Sequence, residues 1–123
     1  NGWNLRVVEV IRDATRMVLK ENRFNDPPES GSQFVLVKVE ACYTGDDSSE
    51  LSRYRLRVVG ASAVAYDQGC GVMPDPLPDS EVFSGGCVEG YAGWEVKSSD
   101  VESLVMYYDR YGVERIYFSL TGD

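Results

Sequence analysis

The sequence predicts an all-β protein: an immunoglobulin-like antiparallel β-sandwich of about seven to eight strands with almost no helix. Apolar and polar residues alternate with a period of two in several segments, as in strands with one buried and one exposed face. These segments are short, and connections containing proline or glycine separate them, which favours a sandwich over a parallel sheet. At 123 residues the chain can form one core, so we expect a single domain over residues 1–123.

Five segments alternate clearly enough to be predicted as half-buried strands. They are residues 33–43, 54–58, 88–97, 104–108 and 115–120. The inward positions of these strands should form the core. The predicted core residues are Val35, Val37, Val39, Leu56, Val58, Trp94, Met106, Ile116 and Phe118.

Residues 5–11 are rich in β-branched side chains, which favours another strand. The alternation breaks at Val7-Val8, as it does at a bulge or in a strand that changes sheets. The alternative is a helix through Leu5, Val8 and Val18. A short edge strand is also expected at 63–66, and a turn or a single helical turn at 98–102.

The chain has 20 acidic residues, 12 basic residues and no histidine, which gives a net charge of −8. Contact with nucleic-acid phosphates needs a basic face, and adsorption to anionic lipid is disfavoured by the same charge. No segment approaches the roughly 18 consecutive apolar residues of a membrane-spanning helix. Without histidine the usual general base and zinc ligand are missing. We therefore expect no enzyme activity, no cofactor, no nucleic-acid partner and no direct membrane insertion of this domain.

The three cysteines, Cys42, Cys70 and Cys87, allow one disulfide. In the immunoglobulin arrangement the strand ending at Tyr43 and the strand starting near Gly86 are antiparallel neighbours. Alternation places Cys42 and Cys87 on the outer face at facing strand ends, within the roughly 4.4–6.8 Å Cα separation of a disulfide. A Cys42–Cys87 bridge is the first prediction. A Cys70–Cys87 bridge is the alternative, and the absence of a bridge stays open.

Acidic residues are concentrated in two connecting segments. The first contains Asp67, Asp75, Asp79 and Glu81, and the second contains Asp46, Asp47 and Glu50. Because oxygen ligands on a loop suit Ca²⁺, a calcium-dependent site in the 67–81 loop is one hypothesis. The spacing is not that of an EF-hand and the prolines restrict the loop, so solvated loop acids are the favoured interpretation.

Two further groups have a functional interpretation beside a structural one. Arg53, Arg55 and Arg57 are predicted on one strand face, as an anion site or as a face neutralised by neighbouring acids. Tyrosines gather near the C-terminal strands, where exposed ones would suit a contact surface and inward ones the core. They are Tyr107, Tyr108, Tyr111 and Tyr117.

A series of short structural motifs follows the chain from Gly2 to the last strand. It includes Gly2-Trp3, Asn22-Arg23-Phe24, Phe34-Val35-Leu36-Val37-Lys38-Val39, Leu56-Arg57-Val58-Val59-Gly60, Val82-Phe83-Ser84-Gly85-Gly86, Val88-Glu89-Gly90, Trp94-Glu95-Val96 and Ile116-Tyr117-Phe118. In this order the motifs resemble the DUF4352 family of secreted proteins and lipoproteins of bacteria and archaea, which is related to the mycobacterial MPT63-type antigen fold. The resemblance covers nearly the whole chain, and its motifs concern structure and not chemistry.

The resemblance implies an immunoglobulin-like sandwich, export from the cytoplasm, and often a lipid anchor or membrane tether outside residues 1–123. It brings no catalytic residues. It also implies a cysteine near Cys70 paired with one close to Trp94, whereas residues 91–94 are Tyr-Ala-Gly-Trp. The expected function is a non-enzymatic extracytoplasmic module, secreted or at the cell surface, that binds a protein or a cell-envelope component. A structural spacer domain at the cell surface is the alternative.

Overall fold

The protein consists mainly of antiparallel strands in a computed structural model that describes residues 2–69, 71–109 and 116–120. The strands in these residues are β1 (Trp3–Ile11), β2 (Ser32–Tyr43), β3 (Ser48–Leu51), β4 (Leu56–Val59), β5 (Ser80–Phe83), β6 (Cys87–Lys97), β7 (Val105–Tyr108) and β8 (Tyr117–Ser119). The helices are α1 (Thr15–Glu21) and two 3₁₀ helices, Arg53–Arg55 and Ser98–Ser103. The predicted all-β sandwich is confirmed.

The strands form two three-stranded sheets and one separate pair. The first sheet has the order β1-β2-β6, the second β4-β7-β8, and β3 pairs with β5. β2 is central in the first sheet and pairs with β6 along its whole length, from Ser32 opposite Lys97 to Cys42 opposite Cys87. The register of β1 shifts between Val7 and Glu9 while the strand stays paired with β2, which agrees with the bulge and not with a strand that changes sheets.

The main core lies between the two three-stranded sheets and joins both. The Trp94 side chain crosses this core, and its indole N–H donates to the Leu56 carbonyl at 3.1 Å. Seven of the nine predicted core residues are buried there: Val35, Val37, Val39, Leu56, Val58, Trp94 and Met106. Phe118 packs partly buried against the same core. The prediction for Ile116 is wrong: its side chain is 67% exposed because it precedes the start of β8 at Tyr117.

A second, smaller core lies on the opposite face of the first sheet, beneath α1. It consists of Ala14, Val18, Phe34, Leu36, Met73 and Tyr91. The helix begins where the Asp13 carboxylate accepts the Thr15 N–H at 3.2 Å, and Lys20 lies in its last turn. Residues 5–11 lie in β1, so the alternative helix through Leu5, Val8 and Val18 is wrong. The expectation of almost no helix missed α1, which buries the outer face of the first half of β2.

Some strand bounds differ from their predictions for local reasons. A 3₁₀ turn replaces the start of the predicted 54–58 strand, because the Ser52 hydroxyl caps it by accepting the Tyr54 N–H. Residues 63–66 form no strand beyond one bridge between Tyr66 and Val58. Ala63 has a φ of 65°, a left-handed conformation that interrupts an extended backbone.

The buried carboxylate of Asp100 joins the 60–66 segment to the Ser98–Ser103 helix. It is 2% exposed and accepts the Ser62 hydroxyl at 2.6 Å, the Ser62 N–H at 3.0 Å and the Tyr66 hydroxyl at 2.7 Å. The Ser62 and Tyr66 hydrogen bonds lower the pKa of Asp100 from its ordinary value. Burial, followed by the bond to Asp100, raises the pKa of the Tyr66 phenol.

The long connection between β4 and β5 follows the outer edge of β6. The Gly69 N–H donates to the Gly93 carbonyl at 3.0 Å, and the Leu77 N–H donates to the Tyr91 carbonyl at 2.9 Å. Gly90 lies so close to this connection that an added Cβ would be 2.5 Å from both Cα and N of Leu77. The connection therefore covers one edge of the first sheet.

Candidate functional site

On the outer face of the first sheet, polar side chains form cross-strand rows beside the smaller core that α1 covers. One row is Arg6, Glu40 and Glu89, and the next is Glu9, Lys38 and Tyr91. The Arg6 guanidinium contacts the Glu40 carboxylate at 3.1 Å. Opposite charges in neighbouring strands stabilise such rows modestly.

Tyr91 is the central side chain of this polar face. Its hydroxyl donates to Glu9 at 2.8 Å, and the Lys38 ammonium lies 5.4 Å from its ring centre. Burial raises the pKa of Tyr91 to about 12, and the hydrogen bond to Glu9 and the charges of Glu9 and Asp75 act in the same direction. The phenol therefore stays protonated at neutral pH and acts as a hydrogen-bond donor, not as a base.

A shallow depression opens beside this face, along the β6 edge. Its lining residues are Lys38, Asp75, Pro76, Pro78, Glu89 and Gly90. Within it the Lys38 ammonium lies 3.6 Å from the Glu89 carboxylate. The Lys38 and Glu89 charges thus neutralise each other, so the depression attracts a charged ligand only weakly.

A second surface is formed where α1 ends. The Asn25 side chain joins this end to the 71–73 segment: its amide donates to the carbonyls of Val18 at 3.0 Å and Val72 at 2.7 Å, and its oxygen accepts the Val72 N–H at 3.0 Å. Gly71, with a φ of +81°, permits this approach, because a Cβ there would be 2.4 Å from the Asn25 oxygen. The loop that follows α1 and the loop at 71–73 are therefore held next to each other.

These two loops present apolar side chains to solvent. Phe24 is 78% exposed and Val72 is 51% exposed. The Arg23 guanidinium lies 5.0 Å from the centre of the Phe24 ring. We call this surface the tip patch and define it as Arg16, Lys20, Arg23, Phe24 and Val72.

The basic residues of the tip patch are Arg16, Lys20 and Arg23. Arg16 and Lys20 are one turn apart on α1, and with Leu19 they line a shallow depression that also includes Asp13. Among the residues that the structure describes, Arg16, Lys20 and Arg23 form no ion pair. Four cations elsewhere pair with carboxylates, Arg6, Lys38, Arg53 and Arg57. Arg12 and Arg55 instead donate to backbone carbonyls. The tip patch thus combines uncompensated positive charge with exposed apolar area.

The acidic residues of the 67–81 loop do not converge. Asp67 pairs with Arg57 at 2.9 Å, whereas Glu81 accepts the Ser48 hydroxyl at 2.7 Å. In residues 2–69, 71–109 and 116–120, no three Cys, Asp or Glu side chains come together in a group that could hold a metal ion. The geometry of the described residues therefore offers no argument for the calcium hypothesis.

The prediction that Arg53, Arg55 and Arg57 share one strand face is wrong. Arg53 and Arg55 lie in the 3₁₀ helix, and only Arg57 is in β4. Arg53 donates to the Leu77 carbonyl at 3.0 Å, whereas Arg55 donates to the Asp109 carbonyl at 3.1 Å and Arg57 lies 3.7 Å from the Asp109 carboxylate. The structure does not bring them together as an anion site.

The predicted tyrosine cluster is divided between core and surface. Tyr108 packs partly buried against the core, and its hydroxyl accepts the Ser52 N–H at 3.2 Å. Tyr107 is buried and its ring centre lies 5.4 Å from that of the exposed Tyr117. Tyr111 lies outside the described residues.

Cys42 and Cys87 form a disulfide across the β2–β6 pair, with a Cα separation of 4.1 Å. This is the first of the two pairings that the sequence predicted, and the Cys70–Cys87 alternative is wrong. Cys70 itself lies outside the described residues. Its neighbour Gly69 bridges to Trp94, and residues 91–94 contain no cysteine that could pair there.

No family model matches this chain, and no curated protein matches it. Solved structures do match. An inferred lipoprotein of Bacillus subtilis (ycdA) aligns with a TM-score of 0.67 at 13% identity, over 98% of this chain and 36% of its own. This chain therefore spans about a third of that protein's length.

The secreted protein MPT63 of Mycobacterium tuberculosis aligns with a TM-score of 0.64 at 12% identity, over 94% of this chain and 81% of its own. This chain has an MPT63-like fold. A conserved hypothetical protein of Bacillus anthracis aligns with a TM-score of 0.61 at 14% identity, over 96% of this chain and 88% of its own. At such identities the MPT63-like likeness concerns the fold alone.

The tip patch was missed in the sequence because α1 was missed. Residues 13–21 contain an aspartate followed by several good helix formers, and Ala14 and Val18 have helical spacing. This signal could have identified a short helix with Arg16 and Lys20 on one face. The joining of Asn25 to Val72 is a contact across 47 residues, which local pattern does not reveal.

Proposed function

We propose that this chain is a non-enzymatic extracytoplasmic binding module that contacts its partner through the tip patch. The observation that supports the proposal is the combination of Phe24 and Val72, exposed on loops that Asn25 holds in place, with three cations that form no ion pair within the described part of the chain. Exposed apolar area bordered by charge is typical of interaction sites. A preformed surface also binds with less loss of conformational entropy.

The location outside the cytoplasm is part of the proposal. Disulfides such as Cys42–Cys87 form and persist in oxidising compartments. Two structural neighbours are described as a secreted protein and as an inferred lipoprotein. Membership of the DUF4352 family would agree with both, and we propose it on the sequence motifs and on the MPT63-like fold.

The experiment measures binding of the fluorescently labelled chain to isolated cell envelopes of the source organism. Saturable binding that Phe24→Ala weakens, and that Phe83→Ala leaves unchanged, is the expected result. Phe83 is the matched control because it is also an exposed phenylalanine, next to the opposite end of β2. Absence of saturable binding would contradict the proposal and favour a structural spacer domain.

A further inference from the structure

We infer that the partner of the tip patch is the anionic surface of a lipid bilayer, with Phe24 and Val72 entering the headgroup layer. The inference rests on the proposed function, since it names the partner of the same surface. Of the helices in the described residues, none is long and apolar enough to span a membrane. The contact inferred here is a peripheral one.

Charge distribution is the first argument. Residues 12–26 contain four basic and three acidic residues, whereas the remaining chain contains eight basic and 17 acidic ones. The acids near the tip patch are Asp13, Glu21 and Asp26, and Asp13 already accepts the Thr15 N–H at the start of α1. Residues 12–26 thus carry a net charge of +1, whereas the remaining chain carries −9, and this difference complements an anionic partner.

The size of the apolar area favours a bilayer over a protein partner. A stable protein interface buries roughly 800 Å² on each partner around a packed apolar centre. The tip patch offers two projecting apolar side chains, Phe24 and Val72. A bilayer needs no complementary pocket, because apolar side chains enter its interfacial layer while cations contact the headgroups.

The net charge of −8 does not prevent this contact. The Debye length is about 8 Å at physiological ionic strength, so acids farther from the bilayer than this are largely screened. Disulfide-linked Cys42 and Cys87, with Glu40 and Glu89 beside them, lie toward the far end of β2 from α1. The region near the membrane would therefore be α1 and the two joined loops.

The first test measures cosedimentation of the full chain with vesicles made of equal amounts of phosphatidylglycerol and phosphatidylcholine. Vesicles of phosphatidylcholine alone are the lipid control. We expect binding to the anionic vesicles at about 0.1 M salt and its loss at roughly 1 M, where the Debye length falls from about 10 Å to about 3 Å. Equal binding to both vesicle types, or no binding to either, overturns the inference.

Variants then locate the contact on the chain. Phe24→Ala should lower the partition coefficient roughly tenfold because the inserted ring is lost, whereas Phe83→Ala should leave it unchanged. Replacing Arg16, Lys20 and Arg23 together by Gln should lower it about 100-fold, since each cation near an anionic surface contributes about fivefold.

The charge control has the same net charge as the triple variant but an intact tip patch: Arg6, Arg55 and Lys97 are replaced by Gln. We expect this control to bind nearly as well as the unmodified chain. Equal losses in both triple variants would show a general charge effect and overturn the inference. Because all six side chains lie at the surface, we expect each variant to keep the fold. Thermal unfolding of each variant checks this.

The two proposals fail separately. If vesicles do not bind but envelopes do, and if proteinase treatment of the envelopes abolishes binding that depends on Phe24, the partner is a protein. The lipid inference is then wrong while the binding module stands. If neither vesicles nor envelopes bind the chain, both proposals are wrong.

Discussion

The carboxylate of Asp100 accepts the hydroxyl of Tyr66 at 2.7 Å in a site that is closed to solvent. Two further hydrogen bonds from Ser62 complete the contact. Because a buried carboxylate is costly unless it is paired or hydrogen-bonded, these donors decide whether the 60–66 segment stays attached to the Ser98–Ser103 helix.

We expect Asp100→Asn to lower the free energy of unfolding by about 1–3 kcal/mol at neutral pH. The Asn amide nitrogen cannot accept a hydrogen bond, so at least one of the Ser62 and Tyr66 donors would lose its acceptor. Urea denaturation measures the loss. The lowered pKa of Asp100 gives the pH dependence: its contribution is present above the ordinary value of 3.8 and is lost as pH falls through the lowered pKa. If the unmodified protein were still as much more stable than Asp100→Asn below that pH range, the stability difference would not come from the Asp100 carboxylate.

Gly90→Ala should destabilise the protein by roughly 1–3 kcal/mol, because the new methyl group would overlap backbone atoms of Leu77. Thermal unfolding measures the change. Gly69→Ala is the matched control: nothing lies within 4 Å of the added Cβ, and Gly69 lies in the same connection. Equal stability of the two variants would show that the connection moves away freely from β6.

Replacing Cys42 and Cys87 with Ala removes the disulfide and should lower the free energy of unfolding by about 4 kcal/mol. This value is the loss of chain entropy expected for a separation of 45 residues. Unfolding in urea without reductant provides the measurement. Peptide mapping without reduction should yield one crosslinked peptide that contains both cysteines. A crosslinked peptide that contains Cys70 would contradict the pairing.

Val18→Ala should loosen α1 from the sheet. Val18 is fully buried against Phe34 and Leu36, so truncation should cost about 2 kcal/mol and accelerate amide hydrogen exchange in α1. Val8→Ala is the control, since Val8 is exposed and its loss should change stability by less than about 0.5 kcal/mol. Unchanged exchange in α1 would show that the helix is held by contacts other than Val18.

The strands could be predicted because their burial is encoded locally. Alternation in β2 and β6 follows one inward face, and the Cys42–Cys87 pair followed from that alternation and the order of neighbouring strands. The same alternation places Tyr91 on the outward face, opposite Lys38. Its burial was not predictable, because α1 covers that face from a distant part of the chain.

The tip patch could be predicted only in part. The helix-forming sequence before Asn22 was visible, but the exposure of Phe24 depends on where the chain turns after α1. Ile116 shows the converse: alternation marked it as inward, yet the strand begins one residue later. Where distant contacts set the ends of a strand or helix, sequence periodicity alone does not predict where it begins or ends.

The disulfide also encloses β3, β4 and β5 in one covalent loop, since all three lie between Cys42 and Cys87. A single peptide bond cut by a protease anywhere in residues 43–86 would leave both new chain ends attached to the same molecule. The long 67–80 connection, which follows the surface along β6, lies wholly inside this loop. A nick there would release no fragment under oxidising conditions, so the cut protein would keep its mass apart from one added water until the bridge is reduced.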